Sequence, residues 1–390
     1  MVFVNRYTLT SSLGVGLAAM RTALRSGSGG LSQAQWPECT IPCYLGVLPV
    51  ELTAAIVAEL DSRNNRMIDL ALHQDGFADA IAALQLQLDP GRLGLVMGTS
   101  TSSIDRTELA YRSLDAEGRF VPPFIQPRVH SPHAPGDYVA ERLGIDGPCM
   151  TVSAACASSA KVFATAKRWL DQGLVDAVVV GGADSLCLSV IYGFHSLQLV
   201  SPDPCRPFSP DRTGISLGEA AGFALLTRNE VTRNDTGTGI RLSGAGESCD
   251  AYHMSSAHPE GLGARLSIER ALASAGLNPT DIDYVNLHGT GTRANDEIEG
   301  KVCAMFDNAR TVLSATKGWT GHTLGAAGIV ESVIAMDALC TGLLPGTMNT
   351  RQSAAPFHLL LDNLERPTRH VLSNSFGFGG NNCSLIFSAA

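Results

Sequence analysis

Charge is scarce in this chain of 390 residues. Asp, Glu, Lys and Arg make up 17%, against about a quarter in an average globular protein. With 45% hydrophobic residues, general disorder is excluded and a large core is expected. A basic excess is missing too. The 28 Lys and Arg face 37 Asp and Glu, a net charge of −9, so no global attraction for nucleic acid or an anionic membrane is expected. Ten cysteines (39, 43, 149, 156, 187, 205, 249, 303, 340 and 383) contain no CxxC pair, which argues against a zinc ribbon and against a disulfide framework. The most apolar stretch, Val175 to Phe194, is broken by Asp176, Asp184 and a glycine pair, so no membrane span is expected. The first residues lack a basic start followed by an apolar run, and a cytoplasmic, reducing location is the expectation.

Glycine, by contrast, is abundant: 40 residues, which implies many tight turns and close backbone approaches. Arg92–Met97, Val175–Val180, Tyr284–Leu287 and Val312–Ala315 read as buried strands. Glu51–Glu59, Arg66–Ala83, Ser158–Leu174, Gly261–Ala275 and Leu324–Leu343 have helical composition. The alternation predicts an α/β protein with largely parallel, doubly covered sheets. A weak repeat is visible as well. Leu95–Thr101 (LVMGTST) resembles Asn286–Thr292 (NLHGTGT), and Thr151–Cys156 (TVSAAC) resembles Val312–Lys317 (VLSATK). The repeat divides the chain near residue 235, inside the polar connection Arg228–Gly239, giving expected halves 1–235 and 236–390.

Four stretches carry chemistry. In the first, Thr151–Lys161, a β-type segment turns through small residues into a helix with Cys156 at its N-terminus. Helix polarity there is expected to lower the thiol pKa. In the second and third, His288 (LHGTGT) and His322 (TKGWTGHTLGAAG) each follow a strand and are wrapped in glycines. Ligands bind at such strand ends in α/β folds. The fourth, Asn374–Asn382 (NSFGFGGNN), alternates glycine with aromatics and offers backbone amides for an oxyanion. Each has an ordinary structural reading when taken alone; the other eight histidines keep that reading.

Together these stretches, with Arg206–Gly222 and Asp250–Met254 between them, resemble the β-ketoacyl-acyl carrier protein synthases of the thiolase superfamily over nearly the whole chain. The Cys-His-His set is that of the elongating members. Ser196–Val200 and Ile215–Gly222 also resemble the synthases of aryl-polyene clusters. The resemblance implies a thiolase-like α/β fold of two pseudo-duplicated halves in an α-β-α-β-α layering. It implies a decarboxylative Claisen condensation of an acyl-enzyme with malonyl-acyl carrier protein, without metal or nicotinamide, the substrates riding on phosphopantetheine. Cys156 would be the acylated nucleophile, its oxyanion held by the amides of Cys156 and Phe378. His288 and His322 would act as neutral imidazoles donating from Nε2. Lys317 would orient the site with Glu331, and Thr290, Thr292, Ser255 and Phe376 would line the substrate path. Phe378 would gate the acyl tunnel, and Asp296 and Glu299 would be structural.

The implied partners are an acyl carrier protein and a second subunit, either a copy of this chain or a chain-length-factor-like protein, paired across an edge strand for which Val175–Val180 is the candidate. Arg63, Arg66, Arg119 and Arg206 are the candidate carrier-protein contacts, since an acidic enzyme needs local basic groups to hold an acidic carrier. The chain also departs from the family pattern. Leu9–Gly14 replaces the usual opening phrase, so a short or irregular first strand is expected. Arg293 follows the GTxT loop where a proline or small residue is common. Ser209 and Thr213 replace acids, and Ser100–Ser103 is polar where relatives line an acyl pocket, which admits a polar or unsaturated acyl chain, although surface hydroxyls are the favoured reading. Competing readings are a non-catalytic chain-length subunit, a thiolase-type acyltransferase using Cys383, and a Cys/His/His zinc site. The presence of Cys156 counts against the first, and the glycine turns are unexplained by the last.

Overall fold

The computed structural model describes residues 1–33, 35–228 and 238–390. The expected boundary at 235 and most of the Arg228–Gly239 connection lie outside the described residues. Ten strands form the path of an eleven-stranded sheet. In chain order they are β1 (Phe3–Ser11), β2 (Leu93–Gly98), β3 (Cys149–Val152), β4 (Ala177–Asp184), β5 (Ala220–Thr227), β6 (Ile240–Cys249), β7 (Tyr284–Leu287), β8 (Val312–Ala315), β9 (His370–Gly377) and β10 (Asn381–Ala389). Their spatial order is β8-β7-β9-β10-β6-β1-β5-β4-β2-β3. From either edge inward each half therefore reads third, second, fourth, fifth, first. Within the sheet, the described residues join the halves through two ladder pairs, Phe3 with Arg241 and Val4 with Ile240.

Alternating side chains split between two cores, as period-2 strands require. Leu93, Leu95, Met97, Val179 and Phe223 face the outer helices Arg63–Leu72, Phe77–Gln85 and Ala134–Leu143. Val96, Val178, Val180 and Ala224 face inward, onto the helices Ser158–Asp171 and Ala327–Thr341. The other half covers its outer face with Leu262–Ala275 and Arg293–Cys303. The result is the five-layered α/β arrangement. Leu324–Thr341 is the one described helical stretch long and apolar enough to cross a membrane, and 83% of it is buried inside the fold.

Several expectations need correction. The sheet is mixed: β2 runs parallel to β3 and β4, and β7 to β8 and β9, whereas the inner strands pair antiparallel. Strands such as β5 (AAGFALLT) are too rich in Ala, Gly and Leu to read as strands by composition. The first strand is nine residues long, with a register shift between Val4 and Arg6. Glu51–Glu59 forms no helix, and Arg66–Ala83 is two helices separated at Asp75–Gly76. Val175–Val180 is not an edge, because β4 is paired on both sides. A valine run marks a strand covered on both faces, not an exposed one. The edges of the described path are β8, which carries a bridge from Leu359, and β3, where Met150 is 44% exposed.

The central helices touch through their smallest residues. A Cβ on Gly328 would fall 2.3 Å from the Ala160 backbone nitrogen. On an exposed helix Gly→Ala stabilises by up to about 1 kcal/mol. Here Gly328→Ala is expected to do the reverse, lowering the unfolding free energy by about 1–3 kcal/mol through overpacking, as measured by denaturant titration.

Candidate active site

Cys156 stands two residues before the helix Ser158–Asp171, at the end of a sharp turn off β3. Ala155 takes a left-handed φ of 48° there. Ser158 locks the turn: its hydroxyl accepts from Ala154 N at 2.8 Å and donates to the Ala155 carbonyl at 2.6 Å. The thiol is buried and accepts a hydrogen bond from the Phe378 amide. The sequence reading expects an oxyanion donor at that amide, and the structure places it against the sulfur. The expected low thiol pKa is not found. Burial pushes the Cys156 thiol up to about 11, against the lowering effects of the Lys317 charge and the Phe378 amide. Removing water from a thiolate outweighs one helix end and one cation.

Cys156, His288, His322, Thr290, Thr292, Ser255, Phe376 and Phe378 line one cavity of about 110 Å³. A larger open groove of about 990 Å³, lined by Arg25, Arg206, Trp319 and Arg351, contains none of the triad. Chemistry, not size, identifies the site. The imidazole centroids are 5.6 Å apart at 90°. His322 Nδ1 accepts from the Leu324 amide at 3.0 Å, and His288 Nδ1 faces Lys317 Nζ at 3.1 Å. An amide and an ammonium only donate, so both rings carry their proton on Nε2. Burial, with the Lys317 charge, lowers both histidines well below the usual imidazole value, and His322 lowers His288 further.

Lys317 is buried, ion-paired with Glu331, and bonded to the His288 carbonyl at 2.5 Å. Glu299 accepts from the amides of His288 and Gly289, each at 2.7 Å, and Asp296 from those of Phe208 (2.7 Å) and Gly291 (3.2 Å). These two acids hold the HGTGT loop. Burial raises Glu299 and Glu331 to about 7 and Asp296 to about 6. Thr290 and Thr292 bond each other through their hydroxyls at 2.9 Å. Phe378 packs on Phe194 with ring centres 5.9 Å apart. Phe194, Leu199, Ile215, Asn295 and Ile298 also line the cavity; Leu199 and Ile215 belong to the Ser196–Val200 and Ile215–Gly222 stretches, while the other three carried no motif by which sequence could have marked them. No group of three His, Cys, Asp or Glu among the described residues is arranged to hold a metal ion.

The departures resolve in physical terms. Thr99, Ser100 and Thr101 spend their hydroxyls on buried Asp184, Ser102 on the Ser131 carbonyl, and Ser103 on Ser62. The hydroxyl protons of the polar loop are thus taken up within the protein. Arg293, exposed, opens the helix whose Ala294 and Asn295 line the cavity. The Thr213 hydroxyl bonds that of Ser201 at 2.6 Å, and Ser209 bonds Asp211.

The candidate docking arginines are already engaged. Arg63 turns inward, donating to fully buried Glu219 at 2.8 and 2.5 Å and lying 5.0 Å from the Trp36 ring centre. It is a structural residue, a correction to the docking assignment. Arg66 pairs with Asp61, Arg119 with Asp115 and Glu117, and Arg206 with Asp203 and Asp211.

Residues 70–232 match the description "Beta-ketoacyl synthase, N-terminal domain", and residues 240–351 match "Beta-ketoacyl synthase, C-terminal domain". The chain belongs to the β-ketoacyl synthase family. It is 32% identical to Nodulation protein E of Rhizobium leguminosarum bv. trifolii over 96% of each chain. It is 33% identical to 3-oxoacyl-[acyl-carrier-protein] synthase 2 of Vibrio cholerae over 84% of each. Among solved structures, the ketosynthase ApeO in complex with its chain length factor ApeC from Xenorhabdus doucetiae matches with a TM-score of 0.89. Identity is 36%, and the match covers 100% of this chain and 98% of that one. The ishigamide ketosynthase/chain length factor matches with a TM-score of 0.89 and 25% identity, over 100% and 99%.

Two outcomes follow for this β-ketoacyl synthase. A raised thiol pKa means that the reactive thiolate grows as pH rises. Alkylation of Cys156 by iodoacetamide, read by peptide mass spectrometry, is therefore expected to climb about ten-fold per pH unit from roughly pH 7 to 10. A plateau near neutrality would contradict the raised value. Arg63→Ala leaves Glu219 buried without its cation and is expected to cost about 3 kcal/mol of stability. Its effect on turnover should be equal for carrier-bound and small thioesters, whereas a docking role would affect only the former.

Proposed function

We propose that this chain catalyses decarboxylative condensation of an acyl-cysteine with a malonyl thioester carried on acyl carrier protein, giving a 3-oxoacyl-carrier protein. The observation that carries the reading is the shared cavity: a thiol with an amide trained on it faces two neutral imidazoles, each with Nδ1 occupied and Nε2–H free to donate.

In the first step Cys156 sulfur attacks the acyl thioester carbonyl. The tetrahedral oxyanion takes hydrogen bonds from the Phe378 and Cys156 amides. The carrier's pantetheine sulfur leaves and takes up the proton that the Cys156 thiol, neutral at pH 7, must release. In the second step the malonyl group loses CO2 by breaking its Cα–carboxylate bond. The electron pair passes to the thioester enolate, whose oxygen accepts from His288 and His322 Nε2–H. The enolate carbon then attacks the acyl-cysteine and expels the Cys156 thiolate. Because both imidazoles stay neutral, they donate without surrendering a full proton, and departure of CO2 drives the sequence without a metal or nicotinamide.

Thr290, Thr292 and Ser255 are assigned to the pantetheine arm and Phe376 to the pocket wall. Phe378 is assigned as the gate. The cavity is too small for an arm and a long chain together, and Gly379 and Gly380, both at positive φ, give that segment room to swing. We assign the second subunit to the exposed β3 edge, as a copy of this chain or a chain-length-factor-like protein. The retained Cys156 favours this chain as the catalytic member. Arg66, Arg119 and Arg206 remain the proposed carrier contacts, in a cytoplasmic route to a fatty acid, polyene or polyketide.

Mixing the protein with acyl-carrier protein is expected to add one acyl mass to the Cys156 peptide, and Cys156→Ala should abolish both adduct and condensation. His288→Ala or His322→Ala should still acylate while losing about 10²–10³-fold in malonyl decarboxylation. Condensation undiminished in any of the three removes that residue's role.

A further inference from the structure

The end of β4 holds a carboxylate that the mechanism above does not use. Asp184 is fully buried. Its Oδ1 accepts from Thr99 Oγ1 (2.5 Å), Thr101 N (3.0 Å) and Thr101 Oγ1 (2.7 Å). Its Oδ2 accepts from Ser100 Oγ (2.9 Å) and Gly325 N (2.6 Å), and Ser100 N is shared between the two oxygens. Five of these six donors belong to the loop after β2. The sixth, Gly325, comes from the other half of the chain, three residues beyond His322. The fit at Gly325 is close: a Cβ there would meet Ser100 N at 2.5 Å and Asp184 Oδ2 at 2.6 Å. Between His322 and Gly325, Leu324 takes a φ of +57°, a conformation that L side chains avoid. The amide of the same residue donates to His322 Nδ1 at 3.0 Å.

We propose that Asp184 is a positioning residue for His322. By pinning the Gly325 amide it holds Leu324 in its left-handed turn, keeps that amide on Nδ1, and so fixes the His322 proton on Nε2, facing the cavity. A backbone amide alone sets this tautomer, unlike the ammonium that serves His288, so anything that loosens the turn releases the choice. Backing groups of this kind govern ring orientation in histidine sites generally. The inference rests on the reading of His322 as an Nε2–H donor in decarboxylation.

Asp184→Asn replaces one acceptor oxygen with an NH2 that faces donors. With ¹⁵N-labelled histidine, and the His322 signals identified by their loss in His322→Gln, the parent protein is expected to show one tautomer, protonated on Nε2. Asp184→Asn should show a mixture. Acylation of Cys156 should stay within about three-fold of the parent while decarboxylation of malonyl-carrier protein falls about ten-fold or more, as for loss of one aimed donor. Unchanged tautomer signals, or an equal fall in both half-reactions, would overturn the proposal. If Asp184→Asn does not fold, Ser100→Ala removes one donor from Asp184 and one acceptor from the Gly325 amide and should shift the same two readouts in the same direction. A parent protein inactive in both half-reactions would remove the function proposed above, while the tautomer measurement would still decide the role of Asp184.

Discussion

Everything chemical in the cavity is arranged around one desolvated ammonium. Lys317 has three N–H bonds to place and finds three acceptors, the Glu331 carboxylate, the His288 carbonyl and His288 Nδ1. A charge buried this deeply is tolerable only with such partners. Once it is in place it decides much else. It fixes the His288 tautomer, helps keep both imidazoles neutral, and pulls the Cys156 thiol back from an even higher pKa. Glu331 sits on a central helix and His288 at a strand end, so the ammonium also ties a core layer to a catalytic loop.

The loops around the cavity are built from Gly, Ser and Thr, which bring backbone amides close to substrate but leave many of them in need of acceptors. Buried carboxylates meet that need. Glu299 and Asp296 gather the amides of the HGTGT loop, Glu219 those of Leu48 and Leu186, and Asp184 those of the segment after β2. The acid is near in sequence at the HGTGT loop, whose carboxylates lie on the helix that follows it, and remote at the segment after β2.

The triad was legible because strand–glycine–histidine and strand–small–cysteine phrases are local: backbone conformation and chemistry are written in the same six or seven residues. Lys317 and Glu331 were legible through the family resemblance, and the structure places them in contact. The thiol pKa was not, because Cys156 at a helix end reads as activated, and only the packing around it shows that desolvation wins. Arg63 failed for a related reason: an arginine before a helix looks exposed until Glu219, far along the chain, takes it. The strands β5 and β6 escaped notice because their Ala and Gly residues suit close approach of helices, the central Ala327–Thr341 at Gly222 and the outer Leu262–Ala275 at Gly244 and Gly246, and not strand propensity. The polar Ser100–Ser103 run misled because its partner, Asp184, lies more than eighty positions away.

The two halves share one strand order, yet they contribute unlike parts to the cavity. The first supplies the sulfur; the second supplies both imidazoles, the ammonium and, at residue 378, the amide that bonds the sulfur. During synthesis the sulfur emerges more than two hundred residues before that amide. Cys156 therefore gains its amide partner, and the packing that raises its pKa, only once β9 and β10 have closed the second half.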